Sequence, residues 1–253
     1  MIELRTLNEI DCLARAGAFV HTVLEAARET TKVGTNLLEI DELAHKMISD
    51  AKAVSSYFDY HPSFGNSAFG HYICTSINDA VLHGLPFDYA LRDGDLVSLD
   101  FAASLDGWVG DSAISFIVGT PSPQDVKLIK ATETALASAI RIAKPKKRLG
   151  DISQAIGDVG RMNGYTANME FGGHGVGKIM HADPHVPNDG KRGRGYKLRP
   201  GLVIAIEPWF MQGTNQIYQD RDGWTLRSKN GKNGAHSEHT IAITDAGARI
   251  LTL

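Results

Sequence analysis

The segment LVSLDFAASLDGWVGDSAISFIV, residues 96–118, restricts the possible folds of this chain more than any other. Two strand-like runs, Leu96 to Ala103 and Trp108 to Val118, flank Asp106-Gly107. Asp-Gly between such runs is a strong signal for a tight hairpin. Strand interiors disfavour carboxylates, yet Asp100 closes the apolar run Leu96-Val97-Ser98-Leu99, and Asp111 follows Trp108-Val109-Gly110. A turn near Leu105 to Gly107 puts these two aspartates roughly opposite each other. Directly opposed residues have Cβ atoms only ~5 Å apart, so the like charges repel unless a cation lies between them. Taken alone, the pair also fits a plainer arrangement, one aspartate solvated at a strand end and the other capping a turn.

Around the hairpin the elements come in a repeated order. Thr6-Leu7-Asn8-Glu9 fits a capping box. Ile10, Leu13, Gly17, Val20 and Leu24 follow at helical spacing, with Gly34 as the expected stop. A second helix carries Ile40, Leu43, Ala44, Met47, Ile48 and Ala51, and strands follow around Tyr72 to Ile77 and in the hairpin. Ser122-Pro123-Gln124-Asp125 starts a third helix running to about Ala143, and a fourth carries Ile152, Ile156, Val159 and Met162. Strand texture returns around Ala167 to Phe171, Leu202 to Glu207, Gln216 to Leu226 and His239 to Thr244. Two helices and then strands, twice over, describe a duplicated α+β half-unit. No linker separates the halves, so residues 1–253 read as a single domain.

Charge and cysteine usage narrow the partners. A formal charge of −3 gives no global attraction to DNA or to acidic lipid. Cys12 and Cys74 make no disulfide framework, which favours a reducing cytosol. Met1-Ile2-Glu3-Leu4-Arg5 lacks the pattern of a signal peptide, and no apolar run approaches the ~20 residues that span a bilayer. A cytoplasmic protein without a membrane partner is expected.

Three further segments carry ligand-type residues. In FGGHGVGKIMHADPHV, His174 is enclosed by Gly172, Gly173, Gly175 and Gly177, so backbone can approach closely around it, and His181 follows. In PGLVIAIEPWF, Glu207 ends an apolar strand before Pro208. In GAHSEHTIAIT, Glu238 begins the final apolar strand. A lone histidine is more often a core residue than a ligand. Four carboxylates at strand positions and one imidazole in a glycine cradle, taken together, make an oxygen-rich site able to hold two divalent ions.

These segments, with His83-Gly84, resemble the methionine aminopeptidases, in order and over essentially the whole chain. The short N-terminus, and the lack of a long insertion between His181 and Glu207, are similar to the compact bacterial type I form. The resemblance implies the α+β pita-bread (creatinase/aminopeptidase) fold. Its pseudo-two-fold half-units share an antiparallel sheet, helices pack on the outer face, and residues 1–253 form one metallopeptidase catalytic domain. It also implies the ligand set Asp100, Asp111, His174, Glu207 and Glu238. Asp111 and Glu238 bridge the metals, Asp100 serves one, and His174 and Glu207 serve the other. Four carboxylates and one imidazole suit Mn²⁺, Fe²⁺ or Co²⁺ rather than the thiolate-rich sites of structural zinc. A monovalent cation held by backbone carbonyls near Asn78 occurs in some relatives.

By the same resemblance, Glu207 carries the proton from water to the leaving amine. His181 hydrogen-bonds the substrate carbonyl, and His83 lies near the leaving peptide nitrogen. Alone, His83 would read as a turn residue before Gly84. The methionine pocket falls to Ser63, Asn66, Phe69, Cys74, Met180 and Trp224. Here the chain departs from the commonest pattern. Asn66 stands where tyrosine is frequent, Ser63 where cysteine is, and Met180 where an aromatic is. The implied activity is removal of N-terminal methionine from nascent chains, favouring a small second residue, by a monomer. An Xaa-Pro peptidase on the same fold, or a binding protein that has lost catalysis, are the alternatives.

Outside the site, KPKKR at Lys144 to Arg148 and KRGRGYKLRP at Lys191 to Pro200 are basic, with Lys229 and Lys232 nearby in the loop before Glu238. They fit either solvated loops or docking on the RNA phosphates of the ribosome. His61, His71, His185, His236 and His239 have no assigned role. His236 and His239 flank Glu238, as supports for ligands or as strand-edge residues.

Overall fold

Thr6 starts the first helix as its sequence predicts. Its hydroxyl accepts the Glu9 amide hydrogen, and the Glu9 carboxylate accepts the Thr6 amide hydrogen at 2.8 Å. This computed structural model describes residues 2–62, 65 and 67–253. Helix α1 (Leu7–Thr30) ends before Gly34, which instead takes a left-handed φ of 90° in the following turn. Helix α2 (Leu37–Asp50) is capped by Asn36. Strands β1 (Val54–Ser55), β2 (Cys74–Ile77), β3 (Ala80–Leu82), β4 (Leu96–Leu105) and β5 (Trp108–Ile117) complete the first half. The second half repeats the order. Helices α3 (Pro123–Ile142) and α4 (Leu149–Asn163) precede β6 (Gly173–Gly175), β7 (Ala182–Val186), β8 (Val203–Ile206) and β9 (Trp209–Met211). Strands β10 (Ile217–Gln219), β11 (Leu226–Ser228), β12 (Gly234–His236), β13 (Glu238–Thr244) and β14 (Gly247–Ile250) follow.

Among the described residues the main sheet is antiparallel, in the order β1-β4-β5-β13-β8-β6-β7, with β2 beside β4 and β14 beside β13. The seam between the halves is β5 against β13, where Glu238 pairs with Ala113 and His239 with Ser112. Alternation along the strands decides what each face does. Val97, Leu99 and Phe101 pack with Val20, Leu24, Ile40 and Ile48 of α1 and α2. Ile204, Ile206, Ile241 and Ile243 pack with Leu128, Ala135, Ile152 and Ile156 of α3 and α4. The pairing His239–Ser112–Phe101 places both sets on one face, so all four helices cover the outer side. Asp100, Asp111, Ala113 and Glu238 point to the other. This is the pita-bread arrangement that the resemblance implied.

Three local readings need correction. The aspartates are diagonal rather than directly opposed: Asp100 faces Ala113, and Asp111 faces Ala102. Asp106 and Gly107 both have positive φ (52° and 78°), a two-residue turn that leaves Leu105 paired with Trp108 and sets every pair behind it. The two carboxylates still share a face, at a wider diagonal spacing. Ala167 to Phe171 is not a strand. Asn168 turns the chain by accepting the Glu170 amide hydrogen at 2.7 Å and donating to the Asn215 carbonyl at 2.9 Å. Gln216 to Leu226 is split into β10 and β11 by a turn in which Asp222 accepts the amide hydrogens of Trp224 and Thr225.

Helix α1 crosses β5 at Gly110, the residue before Asp111. A Cβ there would lie 2.8 Å from the Ala16 carbonyl carbon and 2.8 Å from the Gly17 Cα. Backbone cannot give way as a flexible side chain would. Gly110→Ala should cost about 3 kcal/mol of unfolding free energy. Gly107→Ala, with nothing within 4 Å but a left-handed φ, should cost about 1 kcal/mol. Urea midpoints of both variants check the order.

Candidate metal centre and substrate cleft

Asp100, Asp111 and His174 lie within strands, whereas Glu207 and Glu238 lie at strand ends. Asp100 and Asp111 come from the hairpin, and Glu238 from the seam strand that pairs across it. Glu207 follows β8, and its carbonyl accepts a hydrogen bond from Asn188 at 3.0 Å. His174 lies in the middle of β6, between β7 and β8. There a Cβ on Gly173 would run into the Ala205 carbonyl, and one on Gly175 into that of Asp183. The glycine cradle is therefore steric: the strand fits only without side chains beside His174.

Donor atoms of Asp111, His174 and Glu238 all lie within 4.8 Å of one another, as do those of Asp100, His236 and Glu238. His174 Nε2 is 3.6 Å from Asp111 Oδ2 and 3.7 Å from Glu207 Oε1. Its Nδ1 is 3.1 Å from the Gly175 carbonyl oxygen. Donation there puts the hydrogen on Nδ1 and leaves the Nε2 lone pair facing the carboxylates, the orientation of a metal-ligating histidine. Asp111 Oδ1 and Glu238 Oε1 are buried without a hydrogen-bond partner among the described residues. Such oxygens are costly unless something compensates them. Divalent cations fit this donor set, and the crowding of carboxylates is otherwise unfavourable.

Desolvation and mutual repulsion push the carboxyls upward. Burial raises Asp100 to about 6 and Glu207 to about 8, the latter also through the nearby Asp100 charge. Asp111 and Glu238 lie well above the ordinary carboxylate range for the same two reasons. Burial lowers His174 and His236 to about 3.

The four carboxylates, His174, His83 and His181 line one cavity of about 270 Å³, together with Phe69, Cys74, Met180 and Trp224. Phe69 meets Trp224 edge-on at 5.1 Å between ring centroids, and Met180 packs in the same apolar cluster. Ser63 and Asn66, the other expected pocket residues, lie outside the described residues. His83 takes a left-handed φ of 55°. Gly84 makes that turn possible, because a Cβ on it would meet the backbone of Thr75 and Ser76. His181 lies at the cavity mouth, its ring 4.3 Å from that of His174.

Two tyrosines of the site carried no sequence signal. The Tyr57 hydroxyl donates to Asp100 Oδ1 at 2.6 Å, and Tyr60 reaches His181 Nδ1 at 2.8 Å. Both belong to a loop whose residue types suggest no element. His185 and Phe171 also line the cavity. His236 places a ring nitrogen within 4.8 Å of donor atoms of Asp100 and Glu238. His71 instead pairs with Asp41 at 2.7 Å, His239 with the Thr252 hydroxyl at 2.9 Å, and His61 with the Gly65 carbonyl at 3.2 Å.

Burial fixes the sign of a pH effect. Asp100 and Glu207 keep their protons in the folded chain to about 6 and about 8, against about 4 when unfolded. Between those limits the folded state binds more protons, so stability falls as pH rises. His174 and His236 act in the opposite direction, but only below their unfolded value of about 6.5. Above it the carboxylate effect stands alone. After chelation, urea stability should therefore fall from about pH 6.5 to about pH 8, and added Co²⁺ or Mn²⁺ should remove the slope. A flat profile without ions would contradict the buried cluster.

The sequence model of metallopeptidase family M24 matches residues 11–245. The chain is 41% identical over 256 residues to "Methionine aminopeptidase" of Aquifex aeolicus, covering 99% of this chain and 98% of that protein. It is 42% identical to "Methionine aminopeptidase 1" of Mycobacterium tuberculosis, with 98% and 94% covered. The crystal structure of methionine aminopeptidase from Thermotoga maritima superposes with a TM-score of 0.94 at 34% identity, over 100% of this chain and 99% of that one. The prolidase of Pyrococcus furiosus shares the fold, at a TM-score of 0.77 and 22% identity, with 99% of this chain and 65% of that chain covered. With its fold and its cluster of carboxylates and imidazoles in place, this chain belongs to metallopeptidase family M24, and within it to the methionine aminopeptidases.

Proposed function

We propose that the chain removes N-terminal methionine from nascent proteins and peptides, preferring a small second residue. The observation that carries this is one cavity joining five ligand-type side chains, two auxiliary histidines and an apolar pocket. Asp111 and Glu238 would bridge two divalent ions, Asp100 would hold one, and His174 and Glu207 the other. When bound, such ions lower the pKa of water and polarise the scissile carbonyl. The oxygen-rich donors suit Mn²⁺, Fe²⁺ or Co²⁺.

The chain's own groups divide the remaining work. Glu207 can carry a proton from the attacking water to the leaving amine. Burial keeps Tyr60 a phenol. Its hydrogen given to His181 Nδ1 leaves the hydrogen of that ring on Nε2, free to donate to the substrate carbonyl. His83, whose backbone takes a left-handed turn, would lie on the leaving-group side. Phe69, Cys74, Met180 and Trp224 offer apolar and polarizable contacts suited to a thioether.

The whole of 1–253 is proposed as one catalytic unit. The Arg5 amide donates to the Gly201 carbonyl at 2.7 Å, and α1 of the first half packs against Leu251 near the C-terminus, which ties the halves together. The two basic segments also meet. The Leu149 amide donates to the Tyr196 carbonyl at 3.0 Å, and the Leu198 amide to the Lys147 carbonyl at 2.8 Å. Lys144, Lys146, Arg148, Lys191, Arg192, Arg194 and Lys197 are exposed along that ridge, which suits docking on ribosomal RNA phosphate. No helix among the described residues is long and apolar enough to cross a membrane. A monomer working in the cytoplasm completes the proposal.

Methionine release from Met-Ala peptides tests the activity. Chelation should abolish it, Mn²⁺, Fe²⁺ or Co²⁺ should restore it, and Leu-Ala, Met-Lys and Xaa-Pro peptides should be poor substrates. Preferred cleavage of Xaa-Pro would instead favour a prolidase. His181→Ala should lower kcat by about 10²–10³ with bound metal unchanged by elemental analysis. Loss of the metal would make His181 a ligand and overturn its role at the carbonyl.

A further inference from the structure

His236 ends β12, and Glu238 begins β13 two positions later. Residues i and i+2 of extended chain share a face, so imidazole and carboxylate enter the site together. The histidine is 2% exposed. Its Nε2 is buried without a hydrogen-bond partner among the described residues. It lies 3.8 Å from Glu207 Oε2 and 3.8 Å from Glu238 Oε2.

Those separations exceed the roughly 2.7–3.2 Å of a hydrogen bond. They are what donors sharing one ion require. Two atoms each about 2.1 Å from a metal stand ~3 Å apart at right angles and ~4 Å apart across it. His174 bears the same relation to its own carboxylates, at 3.6 Å and 3.7 Å. The Asp100, His236 and Glu238 donors lie mutually within 4.8 Å, as the Asp111, His174 and Glu238 donors do.

The backbone holds the ring in this place. The Ser115 hydroxyl donates to the His236 carbonyl at 2.6 Å and accepts the His236 amide hydrogen at 3.0 Å. Pairing with Trp209 fixes the other edge. On the far side, Ser237 is tied to the Thr132 hydroxyl of α3 at 2.8 Å. An imidazole held this rigidly, with an unpartnered nitrogen aimed at two carboxylates, is prearranged for a cation.

We propose that His236 is a sixth metal ligand, coordinating through Nε2 the ion shared by Asp100 and Glu238, so that each of the two ions carries one imidazole. His236 ligation rests on the two-ion reading of the site. Its consequence is a shift in preference. Imidazole suits iron and its later neighbours, whereas carboxylates suit Mn²⁺, so the ion at Asp100 should favour Fe²⁺ or Co²⁺ over Mn²⁺.

Proton NMR of the Co²⁺-loaded protein tests it, because an imidazole bound to a paramagnetic ion shows a strongly shifted, exchangeable N–H resonance. The wild type should show two, from His174 and His236. His236→Gln should show one, and should bind its second Co²⁺ at least tenfold more weakly by calorimetry while Mn²⁺ changes less. One such resonance in the wild type, or two remaining in the variant, would overturn the assignment. Should the variant not fold, the wild-type count decides by itself. Absence of Co²⁺ binding in the wild type would remove the two-ion reading, and this ligand with it.

Discussion

Asp100, Asp111, Glu207 and Glu238 carry four carboxyl groups into one largely buried cleft, and no arginine or lysine pairs with any of them among the described residues. Transfer of even one unpaired carboxylate to such a place is unfavourable, and each neighbour of like charge makes it worse. Their raised pKa values express that conflict. A neutral site would resolve it by keeping protons. Divalent cations resolve it by keeping the charge and using it. The folded chain thus stores an electrostatic imbalance that bound ions relieve, which couples ion binding to folding.

The scaffold resists that repulsion through placement on paired strands. Asp100 and Asp111 share a hairpin whose ladder runs unbroken from Leu96 to Leu105, so neither can swing away without breaking backbone hydrogen bonds. Thr240 donates to the Asp111 carbonyl at 2.7 Å, and Ser112 to the Glu238 carbonyl at 2.6 Å. These buried hydroxyl contacts lock the two strands across the seam. The close crossing of α1 at Gly110 presses on the same strand from behind. These constraints act on backbone and leave most of the carboxylate oxygens for ligands; Asp100 Oδ1, which accepts from Tyr57, is the exception.

Much of this was legible in the sequence because it is coded locally. The Thr6–Glu9 cap and the Asp106-Gly107 turn depend on residues three apart or adjacent, and both formed as read. The ligand-type residues stood out because carboxylates are rare at strand positions. What escaped was coded by contact. The aspartates' diagonal offset is set by a turn of two residues rather than by their own neighbourhood. Tyr57 acquires its meaning from Asp100, 43 positions away, and Tyr60 from His181, 121 positions away. Ala167 to Phe171 has the composition of a strand, yet one asparagine side chain takes its backbone partners. Periodicity cannot register any of these.

The duplicated architecture explains why the site lies where it does. The first half supplies Asp100 and Asp111; the second supplies His174, Glu207 and Glu238. Strand β13 pairs with β5 only through Glu238 and His239, and from His239 onward it pairs with β8. Glu238 therefore lies at the seam where the main sheet passes from one half to the other, while β11 and β3 pair the halves a second time. Neither half alone holds a complete ligand set, and neither alone suffers the full repulsion. The full set of charges converges only where the two halves, each with its helix-covered core, meet. The apolar surface buried on the outer face can then offset the electrostatic cost on the inner one. A symmetric pair of half-units so produces an asymmetric site at their junction, with the hairpin of one half facing the strand ends of the other.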